Sequence, residues 1–559
     1  MSKGKQFDSV QRPRIRRSLL DLSHEYKYTA DMAQLVPVMC DEVVPGDVMD
    51  LKQAAIIRFA PMLAPLMHRV KVQMYTFFVP YRILFDDGPT GGTAWTAGAV
   101  SPTDPLRTGR VNWENFISKG TSGDEVIVLP TTDPAVRGAN ATPVATAAQV
   151  VAEGTLWDYL GFPTGVVPHS TNRPLDFPFR AYYLIWNEWF RNETLQDWVD
   201  TTYNGGEYLL KNKNWEKDYF TSALESQQRG TSVGIALAGS AHVDFNLNFT
   251  TGAFTTDRFM RAEGSSNNFT QLGTADSGGT TDTNSQALTN FSENFSAYNT
   301  LDFSNLTAGD ISDLRLASQI QVWQERNNRS GVRYTEFLRG HFDVSPRDDR
   351  LQRPEYIGGS SNDVMISEVL QTSEDGTTPQ GNMAGHGISV QADRVGKYRV
   401  EEYGLVMSLA CVMPTTGYSQ GFNRQWLRRT PFDFYFPEWA NLSEQEIQNQ
   451  ELNAIDVSVD TTGALGSGIF GYQGRFDEMR YKPNKYCGLM RSSFSYWHLG
   501  RQFTANTVVP LNSDFITATP RKDIFAVPTE PALFVTVGNQ LNMFRPLPFI
   551  ATPGGIVNE

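Results

Sequence analysis

Strand-forming runs stand at both ends of this chain, and that placement limits its fold more than any other feature. Near the start, Leu35 to Val44 is Val-rich and stops at Pro45-Gly46, the pair a type II turn prefers at its centre. Val48 to Phe59 resumes the pattern, and Val70 to Val79 (VKVQMYTFFV) is closed by Pro80. Towards the end, Tyr403 to Met413 (YGLVMSLACVM) stops at Pro414, and Leu533 to Val537 and Leu541 to Phe544 follow. Helical and Gly/Pro-rich segments lie between. This order predicts a β-sandwich completed by strands distant in sequence, with long loops carrying the rest.

Three helices are expected. In FRAYYLIWNEWFRNETLQ, from Phe179, the residues Tyr182, Ile185, Trp186 and Trp189 recur at i, i+3, i+4, i+7 and form one apolar stripe. Ile311 to Asn327 places Leu316, Ile320 and Trp323 on one face. Ser443-Glu444-Gln445-Glu446 reads as a capping box opening a third helix. Residues 229 to 310 are dominated by Gly, Ser, Thr and Asn, with eight acids against three bases, yet they carry Phe245, Phe249, Phe254, Phe259, Phe269, Phe291, Phe295 and Phe303. A disordered linker should lack such large apolar groups, so the segment reads as a β-rich surface insertion with a small aromatic core.

The 559 residues are 40% hydrophobic and 19% charged, which excludes a disordered chain. Three cysteines, Cys40, Cys411 and Cys487, give neither a disulfide framework nor a CxxC motif, so folding in a reducing compartment is expected. No apolar run is long enough to span a bilayer. The chain has no P-loop, HExxH, EF-hand or zinc-type Cys/His spacing, so no metal or cofactor is expected. Each of the seven scattered histidines reads as a hydrogen-bonded surface or interface residue. Gly417-Tyr418-Ser419-Gln420-Gly421 matches G-x-S-x-G, but Pro414 to Gly417 separates Ser419 from the preceding strand, whereas a nucleophile elbow turns directly off it. A Gly-flanked polar turn is the expectation there. Glu188, Glu193 and Asp197 are expected to face solvent.

Charge is distributed unevenly. The formal net charge is −13, but residues 1–20 carry Lys3, Lys5, Arg12, Arg14, Arg16 and Arg17 against Asp8 alone, a pattern suited to a polyanion. Two further clusters interleave bases with rings: Arg424, Arg428 and Arg429 around Trp426, then Arg475, Arg480, Lys482 and Lys485 among Tyr472, Phe476, Tyr481 and Tyr486. Such clusters suit single-stranded nucleic acid, but their composition favours a protein–protein interface.

Several longer motifs carry a family resemblance. Phe179-Arg180-Ala181-Tyr182 through Ile185-Trp186-Asn187-Glu188-Trp189-Phe190-Arg191 resembles the helix motif of gokushovirus-type microvirus major capsid proteins. Val322-Trp323-Gln324-Glu325-Arg326, Arg333-Tyr334-Thr335-Glu336 and Leu351-Gln352-Arg353-Pro354-Glu355-Tyr356-Ile357-Gly358-Gly359 are similar to further family segments. So are Asp21-Leu22-Ser23-His24, Asp41-Glu42-Val43-Val44-Pro45-Gly46-Asp47, Phe77-Phe78-Val79-Pro80 and Arg480-Tyr481-Lys482-Pro483, all in family order. Single tetrapeptides are weak signals, whereas the ordered set is specific.

The resemblance implies a mainly β chain: an eight-stranded antiparallel jelly roll of viral-capsid type with large loop insertions and a few helices. It implies self-assembly into a T=1 icosahedral shell around circular single-stranded DNA, in a virion assembled in a bacterial cytoplasm. A basic arm (1–20) would precede a first jelly-roll part (21–196), a surface insertion forming a threefold protrusion (197–311), and the remaining helices and strands (312–559). The implied partners are other copies of the chain, the DNA, a small basic internal protein, a minor vertex or pilot protein, and a host surface receptor; no membrane insertion is implied. The rival reading is a β-sandwich carbohydrate-binding module or hydrolase, because jelly rolls host both.

Overall fold

The computed structural model describes residues 16–84, 153–165, 175, 177–199, 209–230, 259–261, 269–271, 311–331, 333–345, 347–370, 383–440 and 442–550. The chain divides into two units, Met1–Arg229 with Arg326–Glu559, and Gly230–Glu325.

The larger unit is built on two antiparallel sheets. In the first, β1 (Ser18–Asp21) and β2 (His24–Ala30) pair in succession along β14 (Leu533–Arg545). The sheet continues through β4 (Val48–Phe59), β10 (Met383–Arg399) and β9 (Met365–Leu370). The second sheet has the order β3 (Val36–Val43), β11 (Gly404–Pro414), β5 (Val70–Pro80), β8 (Glu355–Asp363). The first and last described strands are thus neighbours, as the sandwich expectation requires. The two late segments read separately at 533–537 and 541–544 form one continuous strand.

Alternation decides which side chains enter the core. Met49 and Leu51 of β4 and Leu541 and Met543 of β14 meet Met39 and Val43 of β3, Phe78 of β5 and Val406 of β11 in one buried cluster. The same inward rows carry a polar pair: Gln53 Nε2 donates to Asn539 Oδ1 at 2.9 Å, and Asn539 Nδ2 donates to the Val38 carbonyl at 2.8 Å. These bonds satisfy buried amides and stitch one sheet to the other, which favours a single register.

The two sheets differ on their outer faces. All eleven residues of β11 are buried. Against that sheet pack Trp189 and Phe190, with Phe77–Trp189 and Tyr75–Phe190 ring centroids 5.5 and 5.2 Å apart. The aromatic stripe read at Phe179 is real: Tyr182 and Ile185 are wholly buried in the helix Phe177–Ile185, which continues as a five-residue π turn, Trp186–Phe190. That turn delivers Trp186 Nε1 to the Asn212 carbonyl (3.3 Å) and Trp189 Nε1 to the Pro354 carbonyl (3.0 Å). The six-stranded sheet, in contrast, alternates buried and exposed residues along β4 and β14, leaving one face open.

The helix Ile311–Ser330 forms where expected. The helix expected at Ser443 does not. Glu444–Gln448 is a strand, β12, paired with β13 (Ile469–Gly474), and the capping box lies one turn later, where Gln448 N–H donates to Glu451 Oε1 at 2.9 Å to open the short helix Asn449–Leu452. EQEIQ offers Gln445 and Ile447 at period two, and pairing with β13 outweighs the weak helical cue. In the smaller unit, β6 (Phe259–Arg261) pairs with β7 (Phe269–Gln271). The other phenylalanines of the insertion lie outside the described residues. Among the described residues, no helix is long and apolar enough to cross a membrane.

Candidate nucleic-acid and subunit interfaces

The structure separates the predicted basic residues into distinct groups. Lys3, Lys5, Arg12 and Arg14 lie outside the described residues. Arg16 is exposed, and Arg17 sits 6.0 Å from the Phe544 ring centroid, beside the first pairing of β1 with β14.

In the loop clusters, three arginines serve the fold. Arg424 Nη1 bonds both the Glu446 carbonyl and Glu451 Oε1 at 2.6 Å, and the Arg424 and Glu451 side chains are 14% and 2% exposed. Glu451 also accepts from the Tyr219 hydroxyl at 3.3 Å. Burial pushes its carboxyl above the usual range, and Arg424 pulls it back. Arg428 reaches Glu478 at 3.5 Å and lies over the Phe434 ring; Arg475 donates to the Phe432 carbonyl and lies over Phe476. Arg429, Lys482 and Lys485 are exposed, and Arg480 is exposed in an i,i+3 pair with Asp477. Around them Trp426 (72% exposed), Phe432, Phe434, Tyr435 and Phe436 form an aromatic surface, held by Phe432–Trp439 and Phe436–Trp439 contacts at 5.0 and 4.8 Å. Exposed rings at this density form an apolar patch on the described surface.

Glu193 departs from expectation. Its side chain is 11% exposed and paired with Arg333, whose Nη2 also donates to the Asn187 carbonyl at 2.9 Å. Burial raises its carboxyl. An acid just beyond a helix looked solvent-facing only because its partner lies far along the chain.

The G-x-S-x-G segment packs instead of reacting. A Cβ on Gly421 would sit 1.9 Å from the Glu451 carbonyl oxygen, and one on Gly417 2.2 Å from the Tyr486 hydroxyl. Between them, the Tyr418 hydroxyl donates to Asp218 Oδ2 at 2.7 Å, and the Gln420 amide exchanges bonds with Phe503 N–H and C=O. Gly421 is required by close approach of the Glu451–Leu452 backbone, and Gly417 by the ring of Tyr486. Ser419→Ala is therefore expected to leave folding and assembly unchanged, while Gly421→Ala yields insoluble or unassembled chain. Solubility and sedimentation of the two variants read this out, and a silent Gly421→Ala would refute the packing role.

Two histidines sandwich a tyrosine behind this segment. His498 is parallel to Tyr486 with centroids 3.8 Å apart, and His68 stacks at 6.2 Å on the same ring. His498 Nδ1 accepts from Gly500 N–H (3.0 Å), so Nε2 carries the proton and donates to the Met490 carbonyl (2.8 Å). That arrangement is the neutral imidazole. Burial lowers the pKa of both rings, and the charge of Arg521 lowers that of His498 further, against Asp523. A lowered folded pKa means stability that is present above the unfolded value near 6.5 and is lost as pH falls through the folded value. Denaturant midpoints of the unassembled chain should fall between pH 7 and 5, with a smaller fall in His498→Gln. Equal falls in both proteins would remove His498 from the account.

Two of the three thiols are held in their protonated form. Burial pushes Cys40 and Cys411 to about 12. Among the described residues, no group of His, Cys, Asp or Glu could hold a metal ion.

The described residues thus combine buried ion pairs, a two-sheet frame and one exposed aromatic patch. A family profile described as capsid protein (F protein) matches residues 8–89 and 105–555. The chain belongs to the microvirus capsid protein family. It is 32% identical to capsid protein VP1 of Chlamydia phage 1 over 99% of each chain. It is 31% identical to capsid protein VP1 of Bdellovibrio phage phiMH2K, covering 96% of this chain and 93% of that one, and 28% identical to that of Spiroplasma virus 4, covering 97% and 95%. The family is structural, so this chain is a major capsid protein and a virion component, as the ordered motifs implied, and the hydrolase and carbohydrate-binding readings fall away.

Sequence reasoning passed over the exposed cations of the six-stranded sheet, among them Lys52, Arg58, Arg394, Lys397 and Arg399. The i, i+2 spacing of Lys397 and Arg399 was available as a signal, but the side of the sheet they occupy depends on an irregularity in β10.

Proposed function

We propose that this capsid protein assembles into a T=1 icosahedral shell around circular single-stranded DNA, with the jelly roll as its wall. The observation that carries the wall is strand order. Taking β1–β2 as one strand position and setting aside the edge strand β9, which pairs only with the start of β10, the two main sheets read first–eighth–third–sixth and second–seventh–fourth–fifth, the pairing of two interleaved Greek keys. The exposed aromatic loops supply contacts between copies, since a closed shell sums many modest contacts. The arm carrying Lys3, Lys5, Arg12, Arg14, Arg16 and Arg17 neutralises phosphates, and the small basic internal protein supplies charge that an acidic subunit does not. Of the insertion at 197–311, the part that falls in the second compact unit, residues 230–311, faces outward as a protrusion that meets the host receptor.

Purified particles test these statements together. Negative-stain imaging should show uniform small shells holding nuclease-protected single-stranded DNA. Shells of a chain lacking residues 1–17 should form with most of that DNA lost. Limited proteolysis of intact shells should cut within 231–310. Full DNA retention removes the arm from the reading, complete protection removes the exterior insertion, and an absence of shells removes the whole of it.

A further inference from the structure

The open face of the six-stranded sheet has an uneven charge. Outward positions of adjacent strands align in rows: Gln540–Lys52–Arg394, Asn542–Asp50–Lys397 and Phe544–Val48–Arg399. Arg17 lies beside Phe544 at the end of the last row. Five bases thus gather at one end of the face of a protein whose formal charge is −13. Two carboxylates share that end. Asp50 bonds Arg394 at 3.0 Å and lies 4.0 Å from Lys397, and Asp21 accepts from the backbone N–H of Ser23 at 3.0 Å and from its hydroxyl. Lys52 and Arg399 are exposed and have no acidic partner among the described residues.

A β-bulge builds this patch. Simple alternation from Arg394 would turn Lys397 and Arg399 inward. The register slips between Arg394 and Gly396, where φ is +139°, so that Lys397 pairs opposite Asp50 and Arg399 opposite Val48. Val395 and Tyr398 pack inward instead, and Val400, just past the strand, is buried in the same core. A bulge re-aims side chains at the cost of one unpaired residue, and here it brings three cations onto one face. Beyond the row Gly538–Ala54–Ala392 the face becomes mixed, with Val390 72% and Phe534 50% exposed beside Ile56 and the exposed Arg58, and with Glu25, Glu153 and Asp158 bordering that end.

The geometry points to this face as a single-stranded nucleic-acid platform, with phosphates on Lys52, Arg394, Lys397, Arg399 and Arg17 and bases against Phe544, Phe534 and Ile56. It rests on the genome-enclosing reading and names the wall that the genome touches. Charge selects the occupant: a polyanion is attracted to the five bases, and a basic internal protein is repelled here. Cations that track a backbone beside rings that accept bases are the two parts of sequence-tolerant single-strand binding. Arg16 and Arg17, the described members of the basic N-terminal set, adjoin β1 at the same end of the sheet.

Two measurements decide it. Ultraviolet crosslinking of intact filled particles, followed by peptide mapping, should place nucleotides on peptides of β4, β10 and β14. Crosslinks confined to other segments, or a protein partner chemically crosslinked to these strands, would overturn the proposal. In the second, the dissociated chain is titrated with fluorescent oligothymidylate at several salt concentrations. Each phosphate contact contributes about 0.7 to the single-strand salt slope, so Arg394→Gln/Lys397→Gln/Arg399→Gln should lower the slope by about 2. Arg347→Gln, at an exposed site, serves as the control and should leave it unchanged. An unaltered slope in the triple variant refutes the platform even if that variant fails to assemble. Shells without protected DNA would instead overturn the genome-enclosing reading, whatever the titration gives.

Discussion

Replacing Arg424 with Ala should destabilise the unassembled chain by about 3–5 kcal/mol, the range for breaking one side of a buried ion pair. The pair links the loop after β11 to the helix Asn449–Leu452, and Glu451 is almost wholly enclosed. Without the guanidinium, Glu451 keeps only Gln448 N–H and the Tyr219 hydroxyl, and its desolvation goes uncompensated. The carboxyl, already raised by burial, rises further. A raised folded pKa makes the penalty largest at neutral pH and smaller as pH falls and the group protonates. Urea unfolding at pH 7.5 and pH 5 measures both parts, and Arg424→Met with Glu451→Gln should recover much of the loss, since a neutral pair of similar volume needs no counter-charge. A loss under about 1 kcal/mol, the value of a surface pair, would show the site to be solvated.

The second large effect concerns assembly. Trp426→Ala with Phe432→Ala should leave the monomer's unfolding midpoint nearly unchanged, because both rings are largely exposed. Aromatic anchors at an interface cost about 2 kcal/mol or more each when truncated. A shell repeats every contact by symmetry, so that loss recurs throughout and should move the product from closed particles to free subunits. Analytical ultracentrifugation of the double variant separates the outcomes. Normal shells would mean that this aromatic surface faces solvent in the particle.

The frame was legible because its punctuation is local. Pro45-Gly46, Pro80 and Pro414 bound β3, β5 and β11, and the stripe of Tyr182, Ile185 and Trp186 is a helical period that burial respects. The site was less legible, and the reason is pairing across distance. Arg424 and Arg429 look alike in the sequence, yet one is held by a glutamate 27 residues away and the other is exposed. Glu193 is sequestered by Arg333 from a different segment. Period-two alternation in EQEIQ is masked by capping residues that favour the helical reading, and the phase of Lys397 and Arg399 depends on a slip at Gly396, where a glycine within a strand is the sequence's one cue to a bulge.

The position of β14 constrains biosynthesis. This last described strand enters between β2 and β4 rather than at an edge, so the first sheet has a vacant central place until residues 533–545 leave the ribosome. Pairings of such long sequence separation are reached slowly and expose strand edges meanwhile. A chain that stops before residue 533 therefore lacks the strand between β2 and β4 and leaves both of those edges unpaired.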